Sequence, residues 1–153
     1  MKTILAIISF VFCVYISKVL AKKYTEKRVF YSDFLDFNKR LKIETSFSQT
    51  TIQKMVINID NNNDFYFCLK KQIESGTFDF DKDYIEKDEI EFYKNYLNTI
   101  GLSDKEAQSK YLDGVEIILK DKLLSAEEEE KKHKSLYSKL GILVGLAVFI
   151  LII

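Results

Sequence analysis

The chain has 153 residues, with 23 basic and 23 acidic side chains, no Pro, no Trp, five Gly, two Cys and one His. That length holds one domain, two Cys are too few for a disulfide framework or a zinc site, and a lone His133 removes the usual routes to a hydrolytic triad. All the acids fall between Glu26 and Glu130, so the middle of the chain is mildly acidic, without the basic stripe that nucleic-acid binding requires.

The first element is apolar. Thr3–Ser17 reads TILAIISFVFCVYIS and the run continues through Lys18 to Ala21. Nineteen helical residues rise about 28 Å, close to the hydrocarbon thickness of a bilayer, and Lys18 can snorkel to the headgroups. A transmembrane helix over residues 3–21 is predicted. The alternative is a cleaved leader, with Lys2 as its basic start and Val19-Leu20-Ala21 as a small-residue cleavage site.

Residues 22–138 read as a helical domain. Phe30, Phe34, Phe37 and Leu41 recur at helical spacing with Tyr31 and Leu35 beside them, and nothing between Ala21 and Thr25 separates this helix from the apolar segment before it. Thr50 or Thr51 is placed to cap a second segment through Ile57, Asn61-Asn62-Asn63 is a loop, and Phe65–Ser75 forms a third segment stopped by Gly76. Ile85–Thr99 follows, with Ile90, Tyr93, Leu97 and Ile100 on one stripe and Gly101 as a left-handed residue past its end. Ser103 and Glu106 have capping-box spacing and open the last helix. Its predicted buried stripe is Ala107, Tyr111, Val115 and Ile118, with Leu112 and Leu119 alongside. Strands over Met55–Ile59 and Thr77–Phe80 are the weaker reading, because neither has a hairpin turn.

No Pro or Gly lies between Val115 and Leu140, so the last helix runs directly into LGILVGLAVFILII. Residues 139–153 make the second predicted transmembrane helix. Within it Gly141 and Gly145 form a GxxxG pair, which lets two helix backbones approach closely, and the first span is its candidate partner. Lys22, Lys23, Lys27 and Arg28 follow the first span, and Lys131, Lys132, Lys134 and Lys139 precede the second. The positive-inside rule then puts the domain in the cytoplasm.

Little in the middle reads as chemistry. Asp79, Asp81 and Asp83 have the spacing that begins a calcium loop, but Tyr84 stands where the loop needs Gly and Ile90 where it needs Glu. They read as a solvated approach to a helix, Glu127–Glu130 as a solvated helix face, His133 as a surface residue and Cys68 as core. No catalytic residue, metal site or cofactor is expected, and no small-molecule substrate.

The stretch Leu97-Asn98-Thr99-Ile100-Gly101-Leu102-Ser103-Asp104-Lys105-Glu106-Ala107-Gln108 resembles the helix–Gly–x–Ser-Asp–x–x–x–Gln segment of the stage III sporulation protein AB family. Leu136-Tyr137-Ser138-Lys139-Leu140-Gly141 is similar to that family's entry into its last span, and the order of anchor, helical domain and terminal apolar helix agrees. The chain departs in lacking a proline around Thr45–Thr51. The resemblance implies a non-enzymatic platform in the mother-cell membrane around the forespore. It would belong to a channel complex required for sporulation, beside an assembly ATPase. Its soluble domain would be similar to the cytoplasmic domain of the type II secretion platform protein. The expectation is an all-α antiparallel bundle between two transmembrane helices. A secreted or surface-anchored helical binding protein is the alternative.

Overall fold

The computed structural model describes residues 2–47, 56, 63–76, 82–100 and 104–152. They form four α-helices and no strand among the described residues. Helix α1 (Lys2–Phe47) carries neither Gly nor Pro, and nothing in its backbone chemistry interrupts it for 46 residues, about 69 Å. Helix α2 (Asp64–Ser75) starts after Asn63, whose extended backbone (φ −64°, ψ 158°) turns the chain into the helix. It ends at Gly76 in the left-handed region (φ 65°), whose N–H donates to the Gln72 carbonyl at 2.9 Å.

Helix α3 (Lys87–Thr99) is opened by Glu89, whose Oε2 accepts the Glu86 N–H at 2.9 Å. Helix α4 (Lys105–Ile152) runs 48 residues, about 72 Å. Its cap is Asp104, whose Oδ1 accepts the Ala107 N–H at 2.8 Å. Glu106 is engaged instead by Lys110 (2.7 Å), one turn on. Ser103, Gly101, the Thr50 and Thr51 caps, Asn61, Asn62, Asp79, Asp81 and most of the two weaker strand segments lie outside the described residues.

The core is built on α1. Its Phe30, Tyr31, Phe34, Leu35, Phe37 and Leu41 are all buried, as their spacing predicts, together with Phe65 and Leu69 of α2 and Tyr93 and Tyr96 of α3. Phe34 is the hub. It stacks on Phe65 (centroids 5.1 Å apart) and takes the edges of Tyr93 (5.4 Å) and Tyr96 (4.8 Å). These offset and edge-on contacts are the favourable arrangements of aromatic quadrupoles. Cys68 is buried, as expected.

Helix α4 meets the core on a different stripe from the one its apolar residues suggest. Gln108, Leu112, Val115 and Leu119 are buried, whereas Ala107 and Ile118 are exposed and Tyr111 is half-buried. Two residues of the expected stripe therefore face outward. The physical reason lies across the interface, where α1 presents the amide of Asn38 and its Nδ2 donates to the Leu112 carbonyl at 3.0 Å. That bond fits the phase in which Gln108, Leu112, Val115 and Leu119, at four-three-four spacing, face α1.

Candidate functional site: the seam between the two long helices

Helices α1 and α4 run antiparallel and stay in contact from the apolar ends to the far side of the domain. Phe10 meets Gly145, Ser17 meets Gly141, Tyr24 meets His133, Arg28 meets Glu130 and Lys42 meets Asp113. Along α1 the contacting residues Phe10, Ser17, Tyr24, Tyr31 and Asn38 recur every seven positions, the coiled-coil repeat, over about 42 Å of helix. The composition of the seam changes in layers along that length.

The innermost layer is built from small residues. A methyl group added at Gly141 would collide with the Ser17 hydroxyl and stand 2.7 Å from Ser17 Cβ. One added at Gly145 would stand 2.7 Å from Cδ2 of Phe10. Both glycines of the GxxxG pair thus face α1, and the two backbones approach more closely than any side chain on these positions permits. Ser17, buried against Gly141, satisfies its hydroxyl within its own helix by donating to the Cys13 carbonyl at 3.1 Å.

Next come aromatic rings. Tyr24 and His133 stack with centroids 4.0 Å apart and planes within 4°, and Tyr137 lies 6.2 Å from Tyr24. His133 is therefore half-buried in a stack rather than a surface residue. Lys23 Nζ sits 5.1 Å from the Tyr24 ring centre. A cleft of about 220 Å³ opens beside this layer, lined by Tyr24, Lys27, Tyr84, Glu129 and His133, with Asp83 at its rim.

Beyond the rings lies an ionic layer. Arg28 Nε donates to Glu130 Oε2 at 2.6 Å and the Thr25 hydroxyl donates to Oε1 of the same carboxylate at 2.7 Å. Lys27 lies 3.4 Å from Glu129 and 3.7 Å from Glu89, and Lys122 lies 3.5 Å from Glu89. Three cations and three carboxylates from α1, α3 and α4 therefore neutralise one another where Glu89 and Glu130 side chains are only 13% exposed. The Thr25 hydroxyl, followed by Arg28, holds the Glu130 carboxyl below the usual range against the opposing effect of burial. At Glu89 burial is the largest influence and acts upward. The Tyr31 hydroxyl, the Glu86 N–H and the two lysines outweigh it and keep that carboxyl low.

The outermost layer is Asn38 with Leu112, followed by Lys42, which pairs with Asp113 and lies 3.7 Å from Glu116. Reading the sequence for apolar periodicity misses this ladder, because Ser17, Tyr24 and Asn38 dilute the apolar signal at the repeat positions. The seven-residue recurrence of Tyr24 and Tyr31, in phase with polar Ser17 and Asn38, is the cue that was available.

The arrangement holds two apolar helices in fixed register and builds an aromatic bundle on the extensions of both. Large apolar side chains in the end segments, among them Ile4, Ile8, Leu143 and Ile150, point away from the chain itself. Both long helices contain stretches long and apolar enough to cross a membrane. The class of protein is a helical hairpin suited to the bilayer, with a bundle built around its base. The family profile of stage III sporulation protein AB matches residues 57–153, and the chain belongs to that family. No curated protein and no solved structure matches it.

Proposed function

We propose that the chain is a non-enzymatic membrane platform in the channel complex between mother cell and forespore, with its bundle in the mother-cell cytoplasm. The family membership gives the sporulation role, and the seam supports the mechanical one. The observation that carries the reading is that each apolar segment and its share of the soluble core belong to one unbroken helix, with Ser17 and Phe10 packed on Gly141 and Gly145. That contact supports a first span kept in the mature protein rather than a cleaved leader, since cleavage after Ala21 would strip both glycines of their partners. A bundle fixed in this way to two spans acts by binding and positioning, and an assembly ATPase and the other channel proteins are its proposed partners.

Two measurements test the proposal. An impermeant thiol reagent applied to intact cells should leave a cysteine placed in the Asn61–Asn63 segment unlabelled until lysis, in a Cys13→Ser, Cys68→Ser background. Labelling of intact cells would put the bundle outside and favour the surface-anchored binding protein. A deletion strain should fail to complete sporulation, and normal spore yield would remove the sporulation platform role.

A further inference from the structure

We propose that the base of the hairpin is a binding collar for anionic phospholipid headgroups, built from lysines of both long helices. The inference rests on the reading that the two apolar segments cross a bilayer. Lys18, Lys22, Lys23, Lys131, Lys132, Lys134 and Lys139 are all exposed. The antiparallel register brings them close together: Ser17 packs on Gly141, Tyr24 stacks on His133 and Thr25 bonds Glu130, so residues 18–25 of α1 stand opposite residues 131–140 of α4. That band is roughly 14 Å tall, about one headgroup layer and the water just outside it, where charge still acts within one screening length.

Neighbouring acids neutralise little of this charge. Lys22 is paired with Glu26 (3.1 Å) and Lys134 with Glu130 (3.5 Å). Lys131 and Lys132 stand one turn beyond Glu127 and Glu128 without an ion pair to either, and Glu129 and Glu130 are drawn into the seam by Lys27 and Arg28. Lys18, Lys23, Lys131, Lys132 and Lys139 thus have no acidic partner among the described residues. No Asp or Glu occurs before Glu26 or after Glu130 in the whole sequence, so the excess positive charge extends to the apolar boundary. Tyr24 and Tyr137 lie in the same band, where aromatic rings with one polar end favour a membrane interface.

Clustered lysines beside a span are attracted to anionic lipid, each raising affinity up to about fivefold close to the surface. The ionic layer above has a consequence here: it draws Glu129 to Lys27 and Glu130 chiefly to Arg28 and Thr25, so among the described residues these two carboxylates reach the collar only at Lys134.

The test is lipid selection around the full chain reconstituted in vesicles of equal phosphatidylcholine and phosphatidylglycerol, read by spin-labelled versions of each lipid. The motionally restricted fraction should favour phosphatidylglycerol several-fold. The preference should fall to within about twofold of unity in the Lys23→Gln, Lys131→Gln, Lys132→Gln, Lys139→Gln variant and in molar salt. A variant with the same charge change far from the apolar ends (Lys87, Lys94, Lys105 and Lys110 to Gln) should keep the wild-type preference. Equal restricted fractions of the two lipids in the wild type, or equal loss in both variants, would overturn the collar and leave the membrane reading standing. Absence of a restricted fraction for either lipid would overturn both.

Discussion

The Nδ2 of Asn38 donates to the main-chain carbonyl of Leu112 at 3.0 Å, and Asn38 is wholly buried while it does so. Its Oδ1 has no partner among the described residues. A half-satisfied amide at a repeat position of a helix pair costs stability, but it favours one register over the alternatives that apolar contacts alone would allow. Asn38→Leu should therefore fold with stability within about 1 kcal/mol of the parent and show more than one helix–helix register. Asn38→Asp, which buries a carboxylate against a carbonyl, should lose about 3 kcal/mol or more near neutral pH. Chemical unfolding gives the energies, and pulsed EPR between labels on α1 and α4 gives the register.

The same glycine replacement should have opposite effects at two places on α4. Nothing lies within 4 Å of a methyl added at Gly114, on an exposed stretch of helix. Gly114→Ala should thus stabilise by about 0.5–1 kcal/mol through backbone entropy. At Gly141 the methyl meets Ser17, and the residue must shift before it fits. Gly141→Ala should widen the distance between labels at Ile8 and Leu143, Gly141→Leu or Gly145→Leu should widen it further, and the aromatic bundle should stay folded by near-ultraviolet dichroism. Unchanged distances in the leucine variants would show that the glycines do not set the approach of the two spans.

Phe34 is fully buried among rings from three helices, so Phe34→Ala should cost about 3–5 kcal/mol. Phe67, on the outer face of α2, is 59% exposed, and Phe67→Ala should change stability by no more than about 0.5 kcal/mol. Urea unfolding in detergent micelles compares the two directly.

The Glu130 carboxyl titrates below its ordinary value because the Thr25 hydroxyl and Arg28 favour its charged form. A depressed folded-state pKa gives stability that is complete above the unfolded value, about 4.3, and is lost as pH falls through the folded value. Glu130→Gln should cost about 1–2 kcal/mol at neutral pH. The gap between variant and parent should close as pH falls below the unfolded value and through the depressed folded one, measured as thermal midpoints across the pH series. A constant gap would mean that the carboxylate charge contributes nothing at the seam.

Much of this fold is legible in the sequence because much of it is periodic. The α1 stripe from Phe30 to Leu41, the stop at Gly76 and the unbroken run from Val115 into the terminal apolar segment each follow from local chemistry. What could not be read there is the phase of α4. Ala107, Tyr111, Val115 and Ile118 make one apolar stripe in isolation and Leu112, Val115 and Leu119 make another, and contact with α1, the bond from Asn38 included, selects the second. The ionic layer was hidden for a related reason. Glu127–Glu130 looks like a solvated face, and the two members that turn inward are selected by Lys27 and Arg28 on another helix. Pairings of this kind are properties of the assembled hairpin.

The antiparallel register also constrains how the molecule is made. Phe10 finds its partner at Gly145, 135 residues later, and even Asn38 must wait 74 residues for Leu112. At ordinary rates of bacterial synthesis the first apolar segment precedes its mate by roughly 7–27 s. Over that interval Ser17 faces lipid or solvent without Gly141, and Arg28 has no carboxylate from α4. On the proposed membrane reading, the first apolar segment spends that interval without its mate, and the hairpin closes only once α4 has been made. A truncation that removes Gly141 and Gly145 would leave Phe10 and Ser17 in that unfinished state while the partners of Tyr24, Arg28 and Asn38 remain.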